Sequence, residues 1–230
     1  MKRIVVSTES ASDWKRLLAK PELHWKCGYS AMTLALSWES AHPGVPPEIA
    51  ASLETADEPL LLGLELLLAI PEYQVDLPGG TRPSQTDVLA LMRGGSGLVV
   101  IAVEGKVDEP FGPTVGEKHA EHSEGVEQRI AWMESLLGLA PVPGTVRYQL
   151  LHRTATALVA AQQFNACAAV VLVHSFSPTG LWFDDFEAFV ALFEATAQAG
   201  SVIRLGEQTG IPLYAAWVAG DQRFREQTAP

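Results

Sequence analysis

The stretch from Gly94 to Lys106, Gly-Gly-Ser-Gly-Leu-Val-Val-Ile-Ala-Val-Glu-Gly-Lys, constrains the fold of this chain more than any other. A glycine-rich turn followed by an apolar, β-branched run is a strand leaving a tight turn, and two charges close this one. Side chains alternate faces along a strand, so Glu104 and Lys106 point the same way, beside Val100 and Ala102. With residues 94–97 as the turn, Arg93 faces Leu98 and, counting back along both strands, Asp87 faces Glu104. Carboxylates directly opposed across a sheet have Cβ atoms ~4.5–5.5 Å apart and repel unless a cation lies between them. A hard divalent cation such as Mg2+ takes carboxylate, carbonyl and water oxygens, so Asp87, Glu104 and the main-chain carbonyl of Gly105 form a coherent ligand set. Lys106 would then orient or deprotonate a metal-bound water, or stabilise charge on an attacked phosphate.

Hydrophobic residues make up 47% of the 230 residues and charged ones 19%, which excludes disorder and suits one large domain. The formal charge of −11 excludes a generic nucleic-acid coat or a membrane-surface protein, since both rely on surplus Lys and Arg. Any DNA contact must therefore come from a local basic patch, for which Arg82, Arg93, Lys118, Arg129, Arg147 and Arg153 are the candidates, or from a protein partner or second copy of the chain. Two cysteines, Cys27 and Cys167, build no disulfide framework and read as core residues. No secretory signal follows the basic start, so the expected location is the cytoplasm.

The apolar run Leu60–Ile70 is too short for a bilayer and reads as a buried helix whose only ionisable group is Glu65. A buried carboxylate needs a partner: the same metal, directly or through water, or an Arg or Lys, unless the helix edge exposes it. Pro/Gly clusters divide the rest of the chain. Helices are expected around Asp13–Lys20, Trp25–Ser40, Pro47–Ile70 (broken at Pro59), Val126–Leu139, Val146–Phe164 and Phe183–Ala199. Strands are expected at Tyr73–Leu77, Ser84–Leu91, Leu98–Lys106, Ala168–His174 and Leu213–Val218. The chain thus reads as a single α/β domain, 1–230, with an N-terminal helical extension over 1–58, a core over 59–175 and a C-terminal helix and strand over 176–230.

A helical Glu65, a strand Asp87 and the following Glu104-Gly105-Lys106 resemble the PD-(D/E)XK nuclease superfamily, over roughly Leu60 to Val173. The resemblance implies a restriction-endonuclease-like core, in the order helix, three-strand meander, helix, strand, with a mixed central sheet flanked by helices. It implies that Asp87 and Glu104 bind Mg2+, with Mn2+ as a substitute, that Lys106 assists the hydrolytic water, and that Gln149 on the next helix joins the catalytic set. Gln149, His152 and Arg153 share a helix face by spacing. The chain departs from the pattern in one respect, since Thr86 precedes Asp87 and Pro83 lies further upstream. The expected function is Mg2+-dependent hydrolysis of DNA phosphodiesters; the alternative is a non-catalytic scaffold of the same fold that binds protein.

A third reading takes His119 and His122, spaced i, i+3, as ligands of a zinc-dependent hydrolase, set against an ordinary solvated face. Asp108 and Glu109 form a charged loop after the strand that could add metal or water contacts, while Trp182, Phe183, Phe186 and Phe189 have the spacing of a helix packed inward. No Walker loop, dinucleotide fingerprint or nucleophile elbow is present.

Overall fold

The computed structural model describes residues 5, 7–80 and 82–229; the basic start of the chain lies outside them. Six strands form one mixed sheet, β1 (Glu65–Val75), β2 (Ser84–Gly94), β3 (Gly97–Lys106), β4 (Ala168–Ser175), β5 (Val202–Gln208) and β6 (Ile211–Ala219), in the spatial order β1-β2-β3-β4-β6-β5. The first three are an antiparallel meander, β3, β4 and β6 run parallel, and β5 returns antiparallel at the far edge.

The β2–β3 register is the expected one. Gly94 pairs with Gly97, Arg93 with Leu98 and Val88 with Val103, so the connection is a two-residue loop, Gly95-Ser96. Parallel strands need a crossover, and the one from β3 to β4 contains α4 (Val115–His119), α5 (Glu124–Leu137) and α6 (Tyr148–Phe164). Both long helices stop on a left-handed residue, Gly138 after α5 and Asn165 after α6, the two residue types that adopt this conformation most easily. Helix α7 (Phe183–Val190) lies between β4 and β5 and buries Phe186 and Phe189 fully, as its spacing predicts; it ends at Val190, short of Ala199.

The sheet separates two apolar layers, each defined by the period of two along the strands. Leu89, Leu91, Val100, Ala102, Val171 and Val173 face α5, α6 and α7. Val88, Ala90, Met92, Val99, Ile101 and Val103 face a 3-10 helix at Ala11–Leu17, α2 (Ser30–Ser40) and α3 (Pro47–Glu54), whereas the short α1 (Pro21–His24) buries none of its residues. All eight residues of β4 are buried, as befits a strand covered on both faces. Among the described residues, no helix is long and apolar enough to cross a membrane.

Two expectations fail here. The run Leu60–Ile70 is not a helix: Pro59–Leu61 is a single 3-10 turn, Gly63 takes a left-handed φ of 61°, and Glu65 opens β1. Leucine favours helices, but this segment gains a ladder with β2, interrupted by a bulge between Leu66 and Leu68, and buries Leu64, Leu66 and Ala69 partly against the N-terminal layer, so pairing overrides propensity. Strand β5 was also not expected; its half-exposed Val202-Ile-Arg-Leu-Gly-Glu-Gln sequence carries the weak alternation of an edge strand.

Candidate functional site

Charges gather where β2 and β3 part. Their recorded pairing ends at Val88 and Val103, and beyond it two side chains of β2 take over the backbone groups of β3. The Thr86 hydroxyl donates to the Val103 carbonyl at 3.0 Å, and the Gly105 amide donates to Asp87 Oδ2 at 2.8 Å. Gly105 therefore meets Asp87 through its N–H, where its carbonyl had been the expected contributor. Its missing side chain also matters, since a Cβ there would stand 3.1 Å from a Leu34 methyl and 3.5 Å from Asp87 Oδ2.

Glu104, 3% exposed, is the hub. Its Oε1 accepts from Lys106 Nζ at 2.7 Å and from Gln149 Nε2 at 2.6 Å, while its Oε2 accepts from Arg153 Nε. Lys106 Nζ also donates to Gln149 Oε1 at 3.2 Å and lies 4.9 Å from the Phe111 ring centre. Helix α6 supplies Gln149 and Arg153 from its first two turns, one turn apart, so both reach the sheet. Burial opposes ionisation of Glu104, but the Arg153 guanidinium and the Lys106 ammonium hold its carboxyl down at about 2.

The third carboxylate was missed in the sequence. Pro71 pairs with Val88 and Tyr73 with Thr86, which puts Glu72 of β1 opposite Asp87, so Glu72, Asp87 and Glu104 succeed one another across β1, β2 and β3. Glu72 adopts φ 53°, a left-handed conformation disfavoured for a glutamate, and it accepts a hydrogen bond from Gln85 Nε2. Burial and the Asp87 charge push Glu72 up to about 8, and burial and the Glu104 charge push Asp87 up to about 7. The two cations neutralise Glu104 and leave the other carboxylates short of positive charge.

A cleft of about 540 Å3 opens over this cluster, with Asp87, Glu104, Lys106 and Arg153 on one wall and Leu18, Leu23 and Tyr29 of the N-terminal elements on the other. Behind it, His152 Nδ1 meets Ser84 Oγ at 2.9 Å and Arg153 Nη1 at 3.2 Å. Arginine only donates, so Nδ1 is an acceptor and the ring is neutral; burial and the Arg153 charge lower its pKa well below 6.5. Thr156 Oγ1 donates to Ser84 Oγ at 2.8 Å and completes the support for Arg153.

The structure thus brings together Asp87, Glu104, Gly105, Lys106 and Gln149 but not Glu65. That carboxylate stands at the opposite end of β1, 73% exposed, in an ion pair with Arg93 at 3.2 Å. Most cations of the expected basic patch hold partners within the chain. Arg93 pairs with Glu65, Lys118 with Glu121, Arg147 with Asp185 and Arg153 with Glu104, while Arg129 binds the carbonyls of Leu77, Pro78 and Arg82.

The zinc expectation also loses its geometry, because α4 ends at His119, His119 pairs with Glu127 at 2.7 Å and His122 lies beyond the helix with φ 49°. Asp108 is tied to Arg225, and Glu109 accepts from the Ser30 amide at 3.1 Å, so this loop holds the start of α2 and the C-terminal segment. Cys27 is exposed, not in the core, and Cys167 is half-buried; both are free thiols.

These features define an α/β protein whose mixed sheet carries a buried carboxylate–cation cluster at the open end of a strand pair. The model of a domain of unknown function (DUF6946) matches residues 7–222, and the chain belongs to that family. No curated protein and no solved structure matches the chain.

Proposed function

We propose that the chain is a metal-dependent phosphodiester hydrolase acting on DNA, built on a restriction-endonuclease-like core. The observation that carries this reading is the row Glu72, Asp87, Glu104 with Lys106 and Gln149 in one cleft. The antiparallel meander followed by α6 and a parallel β4 supports the core topology, with α3 in place of the helix expected over Leu60–Ile70.

The donors fit a hard cation that keeps most of its water. Among the described residues no group of three or more His, Cys, Asp or Glu side chains is arranged to ligate one ion directly, and both oxygens of Glu104 are turned to cations. Asp87 and Glu72, both driven toward the protonated form, would instead hold the ion, and one or two carboxylates suffice for Mg2+. When bound, Mg2+ supplies Lewis acidity and acidifies a bound water. Lys106, fixed by Glu104 and Gln149, presents its ammonium to the charge that develops on an attacked phosphate. The Leu18–Leu23–Tyr29 wall lowers the polarity around both.

DNA incubated with Mg2+ or Mn2+ is the test. Cleavage by the wild type, lost about 100-fold or more in Asp87→Asn and Lys106→Met variants that still fold, is the expected result; unchanged rates in both variants would sink the assignment.

A second reading has its own observation: Arg153 and Lys106 already satisfy Glu104, as in a closed structural cluster. The chain is then a non-catalytic scaffold that binds protein. Titration calorimetry with Mn2+ separates the two, since the scaffold shows no heat that depends on Asp87.

A further inference from the structure

Lys106 and Gln149 belong to two clefts at once. The first is the 540 Å3 carboxylate cleft, and the second, of about 390 Å3, lies on their other side between Phe111, Lys118, Tyr148 and His152. Their chemistry is opposite. Glu72, Asp87, Glu104 and Glu109 line the first, whereas no carboxylate lines the second. There Lys118 Nζ stands 5.6 Å over the Tyr148 ring, and the Tyr148 and His152 rings lie 5.2 Å apart, so an ammonium and a pair of flat rings share one wall. Lys118 also pairs with Glu121 at 2.6 Å, which leaves its side chain only 23% exposed and fixed beside Tyr148. The opening turn of α6 lines the same cleft, and its dipole adds positive potential there.

The roof over the carboxylates limits what can reach them. Leu18, Ala19, Leu23, His24 and Tyr29 stand across the cleft from Asp87, and Glu104 is 3% exposed. Phosphates of a duplex lie on the outside of a wide, stiff rod, which cannot deliver one into this slot unless residues 18–31 move away. A single strand can bend one phosphate in, lay the next along the ammonium and stack a base on the half-buried Tyr148 ring.

We propose that the substrate is single-stranded DNA lying across both clefts, its scissile phosphate at Lys106 and its neighbouring nucleotide held by Lys118 and Tyr148. The inference rests on the hydrolase reading for the scissile position, but the second cleft is tested by binding alone. The net charge of −11 sharpens it, since an acidic surface leaves this cationic, aromatic pocket as a local attraction for a polyanion.

The experiment uses the full chain carrying Asp87→Asn, so that no cleavage confuses it, with Ca2+ in the buffer. Fluorescence anisotropy follows a fluorescein-labelled oligothymidylate and a duplex of the same length. The expected result is single-strand binding about tenfold tighter than duplex, weakened about tenfold by adding Lys118→Glu and by adding Tyr148→Leu. Equal or tighter duplex binding, no binding of either probe, or single-strand binding indifferent to Lys118→Glu overturns it. If Tyr148→Leu fails to fold by thermal melting, Lys118→Glu decides alone. Wild-type cleavage of DNA with no single-strand preference would leave the hydrolase standing and this inference fallen. Lys118-dependent single-strand binding in a chain that cleaves nothing would leave the nucleotide site of the second cleft standing and the hydrolase, with its scissile position at Lys106, fallen.

Discussion

The sheet buries an acid beside a base on each of its faces, and the two clusters are balanced differently. On the N-terminal side, His174 of β4 meets Glu48 of α3 at 2.9 Å, one histidine for one carboxylate. Burial lowers His174 below its ordinary 6.5, and His174 Nδ1 has no hydrogen-bond partner among the described residues, which disfavours a second proton there. Where β2 and β3 part, three carboxylates face two cations, and two of the three are pushed up. A pair that closes on itself holds a fold together; a cluster left with surplus negative charge is suited to take up a cation.

The largest effect should come from breaking the hub. Glu104→Gln leaves Arg153 and Lys106 buried without the carboxylate they are hydrogen-bonded to, which costs about 3–5 kcal/mol of stability. Urea unfolding measures it, and a loss under 1 kcal/mol would show that water reaches these cations. By contrast, Glu48→Gln keeps a hydrogen-bonding group for His174 and should cost only about 1 kcal/mol.

Acidity distinguishes the clusters further, with opposite signs. Asp87 and Glu72 rise from 3.8 and 4.5 to about 7 and about 8, so between those limits the folded chain holds more protons than the unfolded one. Without metal, their contribution is therefore complete at pH about 4 and is lost as pH rises to about 8, by about 2 kcal/mol or more. Adding Mn2+ at pH 8 should restore it, and Asp87→Asn should flatten the slope. His174 is lowered, so its contribution is present above 6.5 and lost as pH falls through its folded value. His174→Gln should remove a low-pH loss and leave the high-pH loss intact. Parallel slopes in both variants would mean that the two clusters are not independent.

What the sequence made legible follows from how local each signal is. The Gly95-Ser96 loop and the β-branched run after it fixed a register, and that register placed Asp87, Glu104 and Lys106 together. Gln149 was named only through the family resemblance, and helical spacing added that it shares a face with His152 and Arg153. Glu72 was not legible, since its position depends on a third strand whose leucine-rich sequence favours a helix, and on a backbone conformation that no glutamate signals. Arg153 appeared as a member of a helix face and of a basic patch; its role as the counter-charge of Glu104 needed the packing of α6 on β3. Glu65, the isolated carboxylate of the apolar run, was expected on a helix beside the metal; it lies on β1, at the end opposite Glu72.

That error yields the smallest and most diagnostic effect. Glu65 and Glu72 lie on the same strand, yet one is an exposed partner of Arg93 and the other is forced up by a neighbouring carboxylate. Glu65→Gln removes a surface ion pair, which is worth less than about 0.5 kcal/mol, and should leave Mn2+ affinity and the pH slope unchanged. Glu72→Gln also removes one charge, but it lowers the repulsion on Asp87 and withdraws an oxygen donor from the cleft, so Mn2+ should bind about tenfold more weakly while the fold gains stability at pH 8. Calorimetry on the two variants side by side separates these outcomes. If Glu65→Gln weakened Mn2+ binding as much as Glu72→Gln, the dependence would be on overall charge, and the row of carboxylates across β1, β2 and β3 would lose its claim to be the cation site.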